Sequence, residues 1–316
     1  MKLLRILIPS LLFYNALWAQ ELPVAQQYLH NLSYLNPACI GRDYCTDFYI
    51  TDRHQWLGIS KAPATQVVGV EHTLLPNPYK ASKKFGLALQ FISDRNGSLH
   101  QTGGQAGYAF HAQLNKKKEI FLSLGLSASV IQHSIRENES NVTNDPALGA
   151  GESALLPDVS TGIFIYSPKF YAGFSILRLL PFTRSFYYEI TPALFPGNYY
   201  LLAGYKFIPR SGTIALNPSL VFKFDNQLSK QIDFNIIADV SHLYQFGVSY
   251  RHALTQLPGQ TTGLQFLFST FFKRFQFNYV AEVSLNSTQA SHFGSHELAL
   301  IYRICYREKP QCPAFE

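Results

Sequence analysis

The chain has 316 residues, 47% of them apolar and only 15% charged, with a formal net charge of +6; an ordinary soluble domain carries about 25% charged residues. Its 19 Tyr, 25 Phe and 20 Gly stand beside one Met and two Trp, a bias toward strands. The aromatic content excludes a disordered chain, and the scarcity of Lys and Glu excludes a charge-laced coiled coil.

Residues 1–19 read as a secretory signal peptide: Lys2 and Arg5, the apolar run Ile6 to Phe13, then Ala16-Leu17-Trp18-Ala19. Cleavage after Ala19 would put the bulky Leu17 at the −3 position, and no Cys follows to make a lipoprotein. Loss of Lys2 and Arg5 lowers the net charge from +6 to +4, since residues 1–20 contain no Asp or Glu. That mild charge does not suggest nucleic acid. No later run of about 18 apolar residues follows, so no spanning helix is expected.

Residues 20–45 do not alternate. Gln27-Tyr28-Leu29-His30-Asn31-Leu32 runs through Asn36-Pro37-Ala38 to Gly41, and either lies in the periplasm or folds back as a plug. From residue 46 onward the pattern is period two. Ile232, Phe234, Ile236, Ala238 and Val240 share one face, and Asp233, Asn235 and Asp239 the other, with Ile237 as the exception. Phe275, Phe277, Tyr279, Ala281 and Val283 oppose Gln276, Asn278 and Glu282 in the same way.

About fourteen such runs fall near 46–54, 64–74, 84–93, 99–114, 119–135, 157–167, 170–179, 197–208, 213–224, 231–241, 243–253, 260–270, 273–285 and 294–306, many of the ~9–11 residues that a tilted spanning strand needs. The predicted fold is all-β: a transmembrane antiparallel barrel over 46–306 with a C-terminal tail, 307–316. Connections alternate in length as outer-membrane barrels do. The long 136–156, 180–196 and 286–293 fall outside if the amino terminus is periplasmic, and the short Asn115–Lys118, Pro168-Lys169, Pro209–Gly212 and Ser241-His242 fall inside. The small and polar face suits a wet lumen. A large soluble sandwich would expose more charge than this composition supplies.

Four cysteines remain after export: Cys39, Cys45, Cys305 and Cys312. Disulfides are expected in that compartment, either as the two short loops Cys39–Cys45 and Cys305–Cys312 or as a cross-pairing that staples the chain ends, and the sequence leaves all three connectivities open. No enzyme signature, cofactor motif or metal set stands out. His292 and His296 have i,i+4 spacing but precede a strand, and Asp239, Ser249 and His252 could be imagined as a catalytic set only if strand pairing joined them. Trp56 reads first as a girdle residue at the membrane rim, and alternatively as part of a specific surface feature between the first two strands.

One set of residues carries a family resemblance: Asn36-Pro37-Ala38 with Gly41; Arg53, Gln55-Trp56, Gly58 and Ala62-Pro63; then Gly125, Gly162, Gly173, Tyr250-Arg251 and His296-Glu297. In order and spacing the chain resembles the PorP/SprF membrane proteins of the type IX secretion system in Bacteroidetes. The cysteines and the tail after Tyr306 lie outside that resemblance. It implies a non-enzymatic outer-membrane barrel that docks or anchors secreted cargo or an adhesin, as in gliding motility; the even strand number and the loop lengths put both termini in the periplasm. Expected partners are the periplasmic secretion ring, peptidoglycan-linking lipoproteins, secreted cargo and outer-membrane lipid. Asn36, Pro37, Ala38, Gly41, Arg53, Gln55, Trp56, Gly58, Ala62, Pro63, His296 and Glu297 become candidate partner-binding positions. The competing reading is a passive channel or a small-solute or fatty-acid transporter.

Overall fold

The computed structural model describes residues 26–75, 83–135, 153–180, 183–184, 193–194, 197–209, 213–225, 229–255, 262–285 and 292–305. The strands are β1 Cys45–His54, β2 Ala64–Leu74, β3 Lys83–Asn96, β4 Leu99–Asn115, β5 Ile120–Ile135, β6 Ser153–Tyr166, β7 Phe170–Leu177, β8 Thr183–Arg184, β9 Ala193–Leu194, β10 Asn198–Tyr205, β11 Ile214–Asp225, β12 Lys230–Val240, β13 Tyr244–Ala253, β14 Gly263–Phe272, β15 Phe275–Ser284 and β16 Ser295–Cys305. All but the short β8–β9 pair form one closed antiparallel barrel of fourteen strands, in which β1 completes the ring against β16.

The fourteen runs of the sequence correspond to the fourteen barrel strands, with shifted ends. β6 begins at Ser153 and not at 157, because the Leu155-Leu156 doublet hides the alternation: Leu155 is exposed outward while Ala154 and Leu156 are buried. β10 stops at Tyr205, and only an isolated bridge from Phe207 to Leu216 continues the pairing.

Alternation sorts the side chains. Phe48, Phe91, Leu126, Phe234, Phe266 and Phe277 are exposed on the outer face, which satisfies the requirement for an apolar band around a barrel whose backbone bonds are all internal. Their neighbours Asn235, Gln265, Asn278 and Glu297 are buried inside. The interior also holds large apolar groups, among them Phe121, Phe164, Tyr166, Ile237, Leu267 and Val280, in one cluster with Tyr28, Leu29, Leu32 and Leu35. The lumen is therefore packed in this region, against the expectation of a wet one, and Ile237 breaks the alternation because it faces a packed core.

The first and last strands meet in register, Cys45 opposite Cys305, and these two form a disulfide across 260 residues. Both short-loop pairings are thereby overturned: barrel closure brings Cys45 beside Cys305, while Cys39 is buried within the amino-terminal segment. Cys312 lies outside the described residues.

Candidate functional site

The feature that distinguishes this barrel is its own amino-terminal segment. Residues 26–44 wind through the lumen as three short 3-10 turns, Gln26–Leu29, Leu32–Tyr34 and Pro37–Cys39. The local sequence dictates the turns. The Asn31 side chain accepts from the Ser33 amide at 3.0 Å, and the Asn36 side chain accepts from the Ala38 amide at 2.9 Å with Pro37 at the first helical position. Gly41, at φ +69°, then turns the chain toward β1.

Each turn is fastened to a different part of the wall. The Tyr28 hydroxyl donates to Asp233 Oδ2 at 2.8 Å and approaches Asn235 Oδ1 at 3.2 Å on β12. The His30 ring meets Ser269 Oγ at 3.2 Å and Gln276 Nε2 at 3.5 Å, on β14 and β15. Tyr34 packs edge-on against Tyr49 of β1, ring centres 5.9 Å apart. Ser175 of β7 donates to the Leu35 carbonyl. Asn36 Nδ2 donates to the carbonyls of Ile163 at 3.1 Å and Phe174 at 3.3 Å. Ser123 donates to the Ala38 carbonyl at 2.6 Å, and His111 Nε2 to the Ile40 carbonyl at 2.7 Å. The Gly41 amide donates to Glu71 Oε1 at 2.7 Å, and Lys84 donates to the Arg42 carbonyl. Wall side chains thus replace the water that these backbone groups would otherwise bind.

Space for the segment is cut by glycines. A Cβ on Gly125 would collide with the backbone of Pro37 and Ala38, and one on Gly173 would stand 2.8 Å from Asn36 Nδ2. Asn36, Pro37, Ala38 and Gly41, among the candidate partner-binding positions, are all buried in the barrel: Asn36 and Ala38 are 0% exposed. The reason is that their polar groups are spent on the wall.

Beyond Tyr28, a line of alternating charges runs along the inner wall from β12 to β1. Arg251 pairs with Asp233 at 3.1 Å and with Glu282 at 3.7 Å; Arg53 reaches Glu282 at 3.8 Å and Glu297 at 3.9 Å. Arg53 and Glu297, distant in sequence, are directly opposed across the β1–β16 seam. His296 points the other way, accepting from the Tyr279 hydroxyl at 2.6 Å. The loop after β1 leans on the residues before β16: the Leu57 amide donates to the Gly294 carbonyl at 2.9 Å and the Phe293 amide to the Leu57 carbonyl at 2.8 Å. Gln55 and Pro63 close the loop through a 2.9 Å backbone bond, the Ala62 amide bonds the Ile59 carbonyl at 3.4 Å, and Gly58 at φ +100° lies against the Phe293 ring. Trp56 packs over His292, ring centres 6.2 Å apart.

The imagined catalytic set does not assemble: Ser249 is buried inside, whereas His252, on the alternate face of β13, meets the Tyr250 hydroxyl at 3.4 Å.

A sequence model described as "Type IX secretion system membrane protein PorP/SprF" matches residues 17–302. The chain belongs to the PorP/SprF family. It is an outer-membrane β-barrel and a membrane component of type IX secretion. No curated protein matches the chain. Solved outer-membrane barrels are similar to the chain at low identity. A TodX monoaromatic hydrocarbon channel deltaS2S3 mutant is 9% identical with a TM-score of 0.47, over 88% of this chain and 94% of that one. BamA from Haemophilus ducreyi, lacking POTRA domains 1–3, is 7% identical with a TM-score of 0.45, over 83% and 70%. CdiB from Acinetobacter baumannii is 9% identical with a TM-score of 0.38, over 83% of this chain, which spans 60% of that protein.

Within this PorP/SprF member, the residues that the sequence did not single out as a site are the wall partners: Asp233, Glu282, His111, Lys84, Ser123 and Ser175. Their signal was faint. Ile237 on a polar face and the strand glycines Gly125 and Gly173 mark where something apolar and close must sit.

Proposed function

We propose that the barrel is a docking adaptor of type IX secretion and not its conduit. The observation that carries this is the seating of residues 28–44 against the wall by hydrogen bonds to β12, β7, β6, β5, β4 and β2. A fourteen-strand lumen is already too narrow for a folded protein, since even 16–18 strands hold only an aqueous channel. Filled by its own chain, it leaves surfaces as the working parts. The loops within 136–156 and 180–196, largely outside the described residues, are the cargo-facing side in this reading. The short turns, with both termini periplasmic, face the ring and the peptidoglycan-linking lipoproteins. Trp56, Gly58 and Phe293 form a structured patch at the cargo-facing rim.

The test is co-purification of the tagged barrel in mild detergent, paired with secretion by a strain lacking it. Ring lipoproteins or one secreted adhesin held by the wild-type barrel, together with lost surface display in the deletion strain, is the expected result. Intact display of every cargo, with the rest of the machine assembled, contradicts the adaptor reading. A bare barrel that conducts ions points to the passive channel.

A further inference from the structure

Among the described residues, the two rims of the barrel differ in charge. On the rim that holds Cys45 and Cys305, the β4–β5 turn carries exposed Lys116, Lys117 and Lys118, the β6–β7 turn exposed Lys169, and the β14–β15 turn exposed Lys273 and Arg274. Among the described residues of these turns, Glu119 is the one exposed carboxylate. The opposite rim mixes signs: Asp52 and His54 pair at 3.0 Å near Lys61 and Arg95.

Apolar side chains accompany the basic ones. Leu114, Leu243 and Phe272 are exposed at the same rim, Phe272 by 63%, and the Lys273 ammonium sits 5.5 Å from the Phe272 ring centre. An acidic protein surface would satisfy the ammonium groups but would leave Phe272 and Leu243 in water. A lipid satisfies both, with acyl chains against the aromatic groups and a phosphate beside the cations.

We propose that this rim is a selective binding surface for anionic phospholipid headgroups. The assignment to the phospholipid leaflet, and not to the phosphates of lipopolysaccharide, rests on the orientation given under Proposed function. Juxtamembrane Lys and Arg gain affinity from each anionic neighbour, and the gain accumulates over a cluster.

The full-length protein is placed in nanodiscs of phosphatidylethanolamine alone or in an equimolar mixture with phosphatidylglycerol. Lipids retained after extraction are counted by native mass spectrometry, and barrel melting is followed in parallel. Phosphatidylglycerol is expected to be retained preferentially and to raise the melting midpoint. The combined variant K116Q/K117Q/K118Q/K273Q/R274Q should reduce that retention by about tenfold or more, while melting in phosphatidylethanolamine stays as in the wild type. The matching Lys-to-Arg variant should restore retention, and K61Q/R95Q on the other rim should leave it intact. Equal retention by the neutralised variant, or loss in K61Q/R95Q, overturns the proposal. Labelling of Lys117→Cys in whole cells by an impermeant maleimide would overturn the orientation even with lipid retention unchanged, so the two failures are separable.

Discussion

Gly86 of β3 and Gly41 of the luminal segment pass backbone to backbone, with no side chain between them. A Cβ on Gly86 would collide with the Ile40 carbonyl, and one on Gly41 would collide with Gly86. Two small residues thus set how closely the segment approaches the wall.

Gly86→Ala should therefore unseat the chain near Ile40, because the obstruction is backbone and cannot rotate away. Overpacking of this kind costs about 1–3 kcal/mol. Hydrogen exchange should show lost protection over residues 36–44 with the barrel strands still protected. Unchanged protection would mean that the close approach is not a requirement.

Tyr28→Phe keeps the ring in its apolar cluster and removes the donor to Asp233. Asp233 still receives Arg251 through bonds of 3.2 and 3.1 Å, so the buried carboxylate keeps a partner. The expected loss is about 1.5–3 kcal/mol for a hydrogen bond to a charged group, confined to residues 28–32. Equal exchange in variant and wild type would remove Tyr28 as an anchor.

Acid should loosen the same end of the segment. In the seated state burial first, and the nearby Arg303 charge second, hold the His30 imidazole down to about 3. Once displaced and solvated, it takes a proton near 6.5. The seated state thus binds fewer protons: its stability is full above pH 6.5 and falls toward pH 3, by about 1.4 kcal/mol per pH unit. Protection factors around His30, with the intrinsic pH dependence of amide exchange divided out, should fall between about pH 7 and pH 5 in the wild type and much less in His30→Gln. The same pH slope in both proteins would assign the effect elsewhere.

Lipid-facing and lumen-facing positions should separate by readout. Phe234 is 49% exposed on the outer face, whereas its neighbour Asn235 is 2% exposed and faces Tyr28. Phe234→Lys should cost about 2–4 kcal/mol of insertion near mid-membrane, seen as lower folding yield in liposomes. Asn235→Lys should insert with near wild-type yield while releasing Tyr28. Identical behaviour of the two variants would reverse the assignment of faces.

How far the sequence discloses this structure follows from the range of each signal. Alternation is local, so Phe234 and Asn235 could be sorted by inspection, as could nearly every strand. Pairing at the seam is not local: Cys45 meets Cys305, and Arg53 meets Glu297, only because the first strand closes on the last. The Asn36-Pro37-Ala38 block was visible as a non-alternating motif, but its inward direction depends on glycines such as Gly125 and Gly173, whose spacing carries no label for what approaches them. The doublet Leu155-Leu156 hid a strand start because one inward apolar group in a packed interior looks like one outward group in lipid. His111 and Lys84, interior polar groups on β4 and β3, gave no sign that their partners would be backbone carbonyls of residues 40 and 42.

An amino-terminal segment seated in this way should close the barrel to ions. Single-channel recording in planar bilayers tests it most directly, comparing the full-length protein with Gly86→Ala. A silent wild-type barrel is expected, with intermittent conductance when the segment is unseated. Steady, open conductance by the wild-type protein would contradict it.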